Sequence, residues 1–355
     1  MTMDLTVCNL VKWFQLTYPT IVKEMRNSSH HFEDGKILNP YHLEGDVWTH
    51  NMMVMLEAAR LKDKCDYNEY KHVMVAALLH DIGKPLARKK SKDKERVHFY
   101  GHEPLSAILS PHIIDAIERD FKVKLNKRLI IEAIAMHTDV YNIPRKKLES
   151  RLIMNKQLAR LLSLLSDCDY AGRFFDMGDR SMEMIVPQTE RECNISQEKQ
   201  VICMIGLPCS GKSTYIKALM QDAGIWSILS RDDIVMQLGL EQGATTYNEA
   251  FNKVDQQQVD KTLDARRRDY IKKESNVMVD MTSMSRKARR RNLQGFKDYY
   301  KIACVTMTSL DKIHYRNEAR AKEGKTIPDK VFERMSQSFQ PPLYDEFNEI
   351  HWGFN

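Results

Sequence analysis

What this 355-residue sequence lacks already narrows its class. Its seven cysteines are scattered and form no CxxC pair, which excludes a thiolate zinc site and a disulfide framework and is typical of a reduced intracellular protein. The N-terminus has no basic segment followed by an apolar stretch, so we expect no signal peptide. The longest apolar run, near HVMVAALLH, is too short to span a bilayer. We therefore expect a cytoplasmic protein that does not interact with membranes.

Charge of one sign is only slightly in excess. The formal net charge is +6 and the pI is near 8.8. This balance permits a polyanionic partner but does not require one, because an excess of surface lysine gives the same value.

The chain length suggests two domains, and the residue pattern divides accordingly. Up to about residue 180, apolar residues recur at helical spacing, as in NMMVMLEAARL, HVMVAALLHDI, HEPLSAILSPHIIDAIERDF, KRLIIEAIAMHT and NKQLARLLSLLSDCDYAGR. After residue 199, short apolar runs alternate with helical segments, which predicts a parallel sheet with crossover helices. We expect an all-α domain over 1–180, a polar linker over 181–198 and an α/β P-loop domain over 199–355. The C-terminal PLYDEFNEIHW is apolar enough for an amphipathic helix.

The run VICMIGLPCSGKSTYIKALM predicts a phosphate-binding loop between a strand and a helix. GLPCSGKS fits GxxxxGK[ST], whose backbone N–H groups converge on phosphate oxygens at a helix N-terminus. Lys212 is expected on the outer phosphates and Ser213 on magnesium, so the ligand is ATP or another nucleoside triphosphate with Mg²⁺. The predicted nucleotide contacts from this loop are Gly206, Pro208, Cys209, Ser210, Gly211, Lys212, Ser213 and Thr214.

Carboxylates that follow two later apolar runs are candidates for phosphoryl transfer. Asp232 and Asp233 end WSILSRDD, where one of them can accept a proton from an attacking hydroxyl while the other caps the next helix. Asp280 ends NVMVD and is a candidate for orienting the acceptor or completing the metal shell. Arg316 and Arg320, one helical turn apart, are candidates for closing over the phosphates.

Nine of the twelve histidines lie between His30 and His112. Imidazole and carboxylate are good ligands for divalent transition metals, and facing helices can assemble such a site. A buried histidine is more often a hydrogen-bonded core residue, and an isolated His-Asp pair is weak evidence. The ordered series from His50 through the contexts LLHDIGKP, HFYGHEP, AMHTD and SDCDYAGR strengthens the metal interpretation.

The motifs GLPCSGKST, SRDD, VDMTSMSRKARR and RNEAR…GKTIP resemble the kinase domain of the polynucleotide kinase family over roughly 198–350. That resemblance implies ATP-dependent phosphorylation of 5′-hydroxyl ends, with Asp232 as general base and Arg320 as the lid arginine. Relatives carry an arginine shortly after the catalytic aspartate to hold the acceptor phosphate, whereas DDIVMQL has none. The basic run Arg286–Arg291 is a candidate for that role.

The histidine series resembles the two-metal form of the HD phosphohydrolase superfamily over roughly 20–175. The resemblance implies that His50, His80, Asp81 and a late aspartate hold one metal, and that Asp81 bridges to a second metal held by His102 and His137. The late aspartate is Asp169 if DYAGR aligns with D-x-x-G-R, and Asp167 otherwise. Mn²⁺, Ni²⁺ or Co²⁺ are the expected ions. Lys84 is a candidate for neutralising substrate phosphate, or else a plain surface lysine; we expect structural or surface roles for His30, His31, His42, His72, His98 and His112.

Together the two halves resemble the HD-Pnk family of nucleic-acid end-healing enzymes. The resemblance implies a kinase for 5′-hydroxyl RNA or DNA ends and a metal-dependent phosphatase for 2′,3′-cyclic, 2′- or 3′-phosphate ends. No ligase signature is evident, so sealing requires a separate ligase partner. Two alternatives remain: a nucleoside or metabolite kinase fused to a nucleotide phosphohydrolase, and a non-catalytic nucleic-acid sensor switched by ATP.

Overall fold

The computed structural model describes residues 4–174, 199–222 and 226–354. The chain divides into two compact units between Glu190 and Arg191. The predicted linker, 181–198, lies outside the described residues. Among the described residues, no helix is both long and apolar enough to cross a membrane.

The N-terminal unit is built from helices, as the 3.6-residue periodicity predicts. It also contains a short antiparallel hairpin that the sequence analysis did not predict. Its helices are α1 (Val7–Thr17), α2 (Pro19–Asn27), α3 (Val47–Ala59), α4 (Tyr67–Leu79), α5 (Lys84–Ala87), α6 (His102–Phe121), α7 (Lys127–Met136), α8 (Asp139–Asn142), α9 (Arg145–Leu152) and α10 (Lys156–Ala171), and the hairpin strands are β1 (Lys89–Ser91) and β2 (Arg96–His98). Two 3₁₀ turns lie at Glu33–Gly35 and Lys92–Lys94.

Helix α4 lies at the centre of this unit. It begins at the N-cap Asp66, whose side chain accepts hydrogen bonds from the backbone N–H groups of Asn68 and Glu69. From Val73 to Leu79 every side chain is fully buried. A helix that is apolar on all sides must be surrounded by other elements. The residues that follow α4 therefore emerge in the interior of the unit.

The C-terminal unit alternates strands and helices. Its strands are β3 (Gln200–Ile205), β4 (Ser227–Ser230), β5 (Val277–Asp280), β6 (Tyr300–Met307) and β7 (Glu349–Phe354), and its helices are α11 (Lys212–Asp222), α12 (Arg231–Glu241), α13 (Tyr247–Lys253), α14 (Gln256–Lys272), α15 (Arg286–Asn292), α16 (Leu310–Ala321) and α17 (Asp329–Gln337).

The strands form one sheet in the order β4-β5-β3-β6-β7, and every pairing is parallel. In β3, the residues from Val201 to Ile205 are buried, as expected for a central strand covered by helices on both faces. Because the strands are parallel, the loops after β3, β4 and β5 leave the same edge of the sheet. The P-loop, Asp232 and Asp280 therefore lie at one edge.

The C-terminal segment is a strand and not an amphipathic helix. Residues 349–354 pair with β6, with Ile350 opposite Ala303 and Trp352 opposite Val305. The edge of β6 offers a row of unpaired backbone groups that only an extended segment can satisfy. Side-chain pattern alone could not disclose that requirement.

Candidate functional sites

Six predicted metal ligands of the N-terminal unit converge from different helices. They come from the first turn of α3, the residues directly after α4, the start of α6, the residue after α7 and the last turn of α10. All six are buried, with at most 7% of any residue exposed: His50, His80, Asp81, His102, His137 and Asp169. Helix ends that meet in the interior thus bring together residues up to 119 positions apart in sequence.

The Asp81 carboxylate lies at the centre of this cluster. Its Oδ1 is 3.1 Å from His102 Nε2 and 3.7 Å from His137 Nε2. Its Oδ2 is 3.3 Å from His80 Nε2 and 3.6 Å from His50 Nε2. Each carboxylate oxygen thus faces its own pair of imidazoles, which is the arrangement required of a carboxylate that bridges two ions.

The imidazole rings are oriented by their other nitrogens. Nδ1 lies within 2.7–2.8 Å of a main-chain carbonyl oxygen in His80, His102 and His137. A carbonyl only accepts, so Nδ1 carries the proton and Nε2 presents a lone pair to the cluster. Such fixing of the tautomer is the usual outer-shell support of a metal-bound histidine.

Several polar atoms of the cluster have no hydrogen bond that would compensate their burial. They include Asp81 Oδ1 and His80 Nε2. Buried polar groups are ordinarily paired, since an unpaired one costs on the order of 1–3 kcal/mol. Two overlapping donor groups, one with His50 and His80 and the other with His102 and His137, share Asp81 and have spacing suited to a metal ion. These residues fit a pair of divalent cations.

Of the two candidate late aspartates, Asp169 belongs to the cluster. Its Oδ1 is 3.0 Å from His50 Nε2, whereas Asp167 is exposed on the helix surface. Arg173 donates to Asp169 Oδ2 at 2.5 Å, and the Tyr141 hydroxyl lies 3.3 Å from the same oxygen. The sequence analysis missed both of these supports, although the arginine is part of the quoted DYAGR.

Lys84 is not a surface lysine. Its residue is only 6% exposed, and its ammonium lies 2.6 Å from Asp81 Oδ2. Burial alone would raise the pKa of the Asp81 carboxyl, but His80 and Lys84 hold that pKa well below its usual range. For His137, burial together with His102 and His80 lowers the pKa to about 4. At His137 the neutral imidazole needed for metal binding is therefore the favoured form.

Three residues that the sequence analysis did not assign to the site surround it: His30, His42 and Glu44. For His30 and His42 the sequence analysis expected only a structural or surface role. Their rings stack with centroids 4.2 Å apart, and the His30 ring lies 5.9 Å from that of His50, so both residues adjoin the cluster. Glu44 Oε1 approaches His42 Nδ1 at 2.7 Å and His50 Nδ1 at 2.9 Å, the second contact lacking hydrogen-bond geometry. Although the three donors lie close enough for a metal ion, the Lys84 ammonium is 3.3 Å from His30 and opposes another cation.

The C-terminal unit presents the P-loop between β3 and α11. A Cβ at Gly206 would come within 2.6 Å of the Thr306 carbonyl oxygen, so this position excludes any side chain. Cys209 and Gly211 have φ values of +63° and +99°, which turn successive N–H groups toward one point. Helix α11 begins at Lys212, so its N-terminal partial charge faces the same point.

The P-loop lysine is folded onto its own loop. Lys212 Nζ donates to the carbonyls of Gly206 at 3.0 Å and Leu207 at 2.8 Å. Burial lowers its pKa to about 8, despite the opposing effect of Asp280 and Asp232. These carbonyl oxygens thus stabilise the buried ammonium in the role that phosphate oxygens would take in a nucleotide complex.

The magnesium and lid candidates also lie at this loop. Ser213 Oγ donates to Asp280 Oδ2 at 3.2 Å, which pairs the hydroxyl expected on Mg²⁺ with an acidic partner. Arg316 donates to the Cys209 carbonyl at 3.0 Å, and Arg320 approaches the Cys209 sulfur at 3.1 Å. Both arginines of α16 therefore reach the loop, as their one-turn spacing permits.

Asp232 lies in the first turn of α12, and neither it nor Asp233 caps that helix. The cap is Ser230, whose hydroxyl accepts from the Asp233 N–H at 3.2 Å. The sequence-based alternative that one aspartate is the cap is therefore wrong, because the hydroxyl of Ser230, two positions before Asp232, accepts from the unpaired N–H at the helix start.

Both oxygens of Asp232 have partners that the sequence did not indicate. The Tyr247 hydroxyl donates to Oδ1 at 2.8 Å, and Lys325 Nζ to Oδ2 at 2.7 Å. The ammonium also lies 4.1 Å from the centroid of the Tyr247 ring. Burial would raise the pKa of Asp232, but Lys325 and the tyrosine hydroxyl hold it below its usual value.

The basic run Arg286–Arg291 is partly structural. Arg289 is fully buried and donates to Glu346 and to main-chain carbonyls, including that of Gln340 at 2.8 Å. Arg286 pairs with Asp345. The suggestion that the run as a whole holds an acceptor phosphate is not supported for these two side chains, which are already engaged in fixing the C-terminal segment.

Comparison with known families assigns both units. Residues 47–171 match the HD domain family, and residues 201–342 match the AAA domain family AAA_33. Among curated proteins, heterogeneous nuclear ribonucleoprotein U-like protein 2 from Mus musculus is 24% identical over 182 residues, which are 49% of this chain and 23% of that protein. The chain thus matches less than a quarter of that relative's length.

Solved structures show weaker likeness. One chain of the Pnkp1/Rnl/Hen1 RNA repair complex has 20% identity and a TM-score of 0.34, with 41% of this chain and 46% of that chain covered. A kinase candidate from Chloroflexus aurantiacus has 15% identity and a TM-score of 0.36, with 45% and 87% covered. The two family matches therefore show an HD domain followed along the chain by an AAA-type P-loop domain.

Proposed function

We propose that this chain is a bifunctional enzyme that heals nucleic-acid ends. Its C-terminal domain phosphorylates 5′-hydroxyl ends with ATP, and its HD domain removes 2′,3′-cyclic, 2′- or 3′-phosphate. One observation carries the proposal: a single chain holds buried His and Asp donor groups that share Asp81, with Asp169 beside them. It also holds a P-loop site after β3, with the Asp232 carboxylate after β4 at the same edge of the sheet. The first set suits phosphate removal and the second suits phosphate addition.

For the phosphatase, the proposed ligands of one ion are His50, His80, Asp81 and Asp169, and those of the other are Asp81, His102 and His137. Bound divalent ions supply a water of lowered pKa and stabilise charge on phosphoryl oxygens. Lys84 places its ammonium beside the shared carboxylate, where it neutralises a substrate phosphate. Arg173 and Tyr141 hold Asp169 in place.

For the kinase, Lys212 moves from its own loop carbonyls to the outer phosphates, and Ser213 with Asp280 holds Mg²⁺. Arg316 and Arg320 stabilise the transferring phosphoryl group, Arg320 as the lid arginine. Asp232 accepts the proton of the attacking 5′-hydroxyl. Its pKa lies below the usual range, so it is ionised at neutral pH and available as a base.

The proposed acceptor is a polynucleotide, and the alternative is a nucleoside or metabolite. The arginine-rich stretches RKARRR and DARRR favour a polyanionic acceptor, although the buried Arg289 reduces the contribution of helix α15. A sensor without catalysis is disfavoured because both sites have their chemical groups in place. Completion of repair requires a separate ligase partner, and we place the reaction in the cytoplasm.

The proposed domains, 1–180 and 199–355 with a linker over 181–198, act independently. Neither supplies a residue to the other site in this assignment, so a fragment ending near residue 185 keeps phosphatase activity and one beginning near residue 195 keeps kinase activity. A folded, metal-binding N-terminal fragment without phosphatase activity would contradict this independence.

Substrate length is the test of the proposal. A 5′-hydroxyl oligonucleotide and the matching free nucleoside are compared as acceptors of the ATP γ-phosphate at equal concentration. We expect a large preference for the oligonucleotide in kcat/KM. Equal transfer to both acceptors would support the small-molecule alternative.

A further inference from the structure

The hairpin formed by β1 and β2 carries an unusual density of positive charge. Six basic and only two acidic residues lie between Arg88 and His98. Within the described residues, four of these cations form no ion pair and are exposed: Lys89, Lys92, Lys94 and Arg96. Such a cluster costs folding energy through self-repulsion and requires an explanation.

The strand register separates the two faces of the hairpin. Lys89 lies opposite His98, and Ser91 lies opposite Arg96, so these four residues share one face. On the other face Val97 is buried, and its partner Lys90 pairs with Asp34. The first face is therefore the outward one, and it displays two cations beside an imidazole.

An exposed aromatic platform lies next to these cations. The rings of His98 and Tyr100 stack, with centroids 4.6 Å apart and planes inclined by 30°. Tyr100 is 70% exposed, an unusual exposure for a large aromatic side chain. Burial, and to a smaller extent the nearby cations Arg96 and Lys89, lower the pKa of His98, which favours its neutral ring. Cations that flank exposed stacked rings are the recurring solution for holding single-stranded nucleic acid.

The residue between the two rings connects this platform to the HD site. The Phe99 carbonyl is 2.8 Å from Nδ1 of His102, one of the proposed metal ligands. The Phe99 ring lies 5.3 Å from the ring of His30 and 5.5 Å from the Lys84 ammonium. The end of the hairpin therefore leads directly into residues that contact the cluster around Asp81.

We propose that the outward face of the β1–β2 hairpin binds the single strand that leads to the 3′ end under repair, with Lys89 and Arg96 on its phosphates and Tyr100 stacked on a base. This inference rests on the proposed phosphatase function of the HD domain. It adds a reason why a polynucleotide end is preferred over a mononucleotide at that site.

The test compares Lys89→Glu/Arg96→Glu with a matched variant, Lys62→Glu/Lys64→Glu, in the full chain. Lys62 and Lys64 are exposed just beyond the far end of α3, whose first turn carries His50. Phosphate release is measured on a twelve-nucleotide RNA with a 3′-phosphate, on its DNA counterpart and on a nucleoside 3′-monophosphate. Equilibrium binding of the same RNA is measured by fluorescence anisotropy over a range of salt concentrations.

We expect the hairpin variant to lose at least about tenfold in kcat/KM on the RNA, mainly through KM, and to leave the mononucleotide rate within about twofold. The slope of log affinity against log salt falls by about 1.4 for two lost single-strand phosphate contacts. Tyr100→Ala weakens RNA hydrolysis roughly five- to a hundredfold, whereas Tyr100→Phe, which keeps the ring, does not. The matched variant resembles the wild type. Equal losses on RNA and DNA indicate that the hairpin recognises features shared by both strands.

Two results would overturn the inference. One is an unchanged RNA preference and salt dependence in the hairpin variant. The other is an equal loss on RNA and on the mononucleotide, which would mean that the hairpin supports the metal site instead of the strand. If the proposed phosphatase function is wrong, the wild-type protein will hydrolyse none of the three substrates. The anisotropy measurement would then still test whether the hairpin binds RNA.

Discussion

The two sites of this chain differ in how complete they are before a substrate arrives. The HD cluster is fully buried, its tautomers are fixed by carbonyls, and its lone pairs converge around Asp81. At the P-loop, Lys212 donates hydrogen bonds to its own loop, and the exposed Asp232 carboxylate accepts hydrogen bonds from Lys325 and Tyr247. The buried His and Asp side chains of the HD domain are thus already oriented toward one another, whereas Lys212 is held by loop carbonyls that a bound phosphate would have to replace.

The largest effect is expected from the residue shared by both proposed ions. Asp81→Ala removes the central carboxylate, so both ions are lost or displaced, and several kcal/mol of transition-state stabilisation correspond to at least about a thousandfold loss of phosphatase rate. Phosphate release and metal content per chain are measured together, with kinase activity expected to stay near normal. The exposed Asp167→Ala is the matched control, and phosphatase activity that survives both Asp81→Ala and a strong chelator would remove the metal mechanism.

Substitutions in the P-loop domain are expected to abolish the kinase activity and to spare the phosphatase activity. Lys212→Ala and Asp232→Ala are each expected to lower kinase rate by roughly 10²–10⁴-fold, since one loses phosphate binding and the other the general base. Phosphatase activity of the same preparations is expected to stay near normal. Asp233→Ala serves as the control for Asp232. If the two aspartate results were exchanged, Asp233 would be the base.

A smaller effect is expected from the outer shell of the HD site. Glu44→Gln replaces the carboxylate beside His50 Nδ1 with an uncharged amide, so the support for that ligand weakens without a change of volume. Loss of such a partner typically lowers metal affinity or activity about 10–100-fold. Metal titration of the full chain gives the affinity, and the surface variant Glu57→Gln is expected to match the wild type. An unchanged affinity would show that Glu44 only packs against the site.

The smallest expected effect is a shift in a pH profile. Lys325 lowers the pKa of Asp232, and the base acts in its ionised form, so wild-type kinase activity persists until pH falls below the usual aspartate range. Lys325→Ala raises that pKa and moves the acidic limb of kcat/KM to higher pH. The exposed Lys322→Ala in the same segment leaves the limb in place. An unmoved limb in Lys325→Ala would contradict the assignment of Asp232 as base.

The sequence predicted what depends on local pattern and motif spacing. The helices around α4, the parallel strands β3 to β6 and the P-loop follow from periodicity and turn chemistry. The convergence of His50, His80 and His137 was expected from the family resemblance, and in the structure these residues meet because they lie at helix ends in the interior of the unit. Each of these features depends on residue types and spacings that can be recognised within a short stretch of sequence.

Other features depend on contacts that no local pattern records. Lys325 and Thr326 belong to the quoted GKTIP, but nothing in that motif shows that the segment is bonded to Asn248 and that Lys325 reaches Asp232. Arg289 resembles its exposed neighbours in sequence but is buried because Glu346 follows 57 residues later. The hairpin strands are three residues each, too short for an alternation signal.

One measurement tests the central claim most directly. An internally labelled RNA with a 5′-hydroxyl and a 3′-phosphate is incubated with the full chain, ATP, Mg²⁺ and Mn²⁺, and both ends are analysed. The account predicts a product with a 5′-phosphate and a 3′-hydroxyl. With Asp232→Ala only the 5′ end is expected to stay unprocessed, and with Asp81→Ala only the 3′ end. An RNA with both ends unchanged, under conditions in which the same protein phosphorylates a free nucleoside, would contradict it.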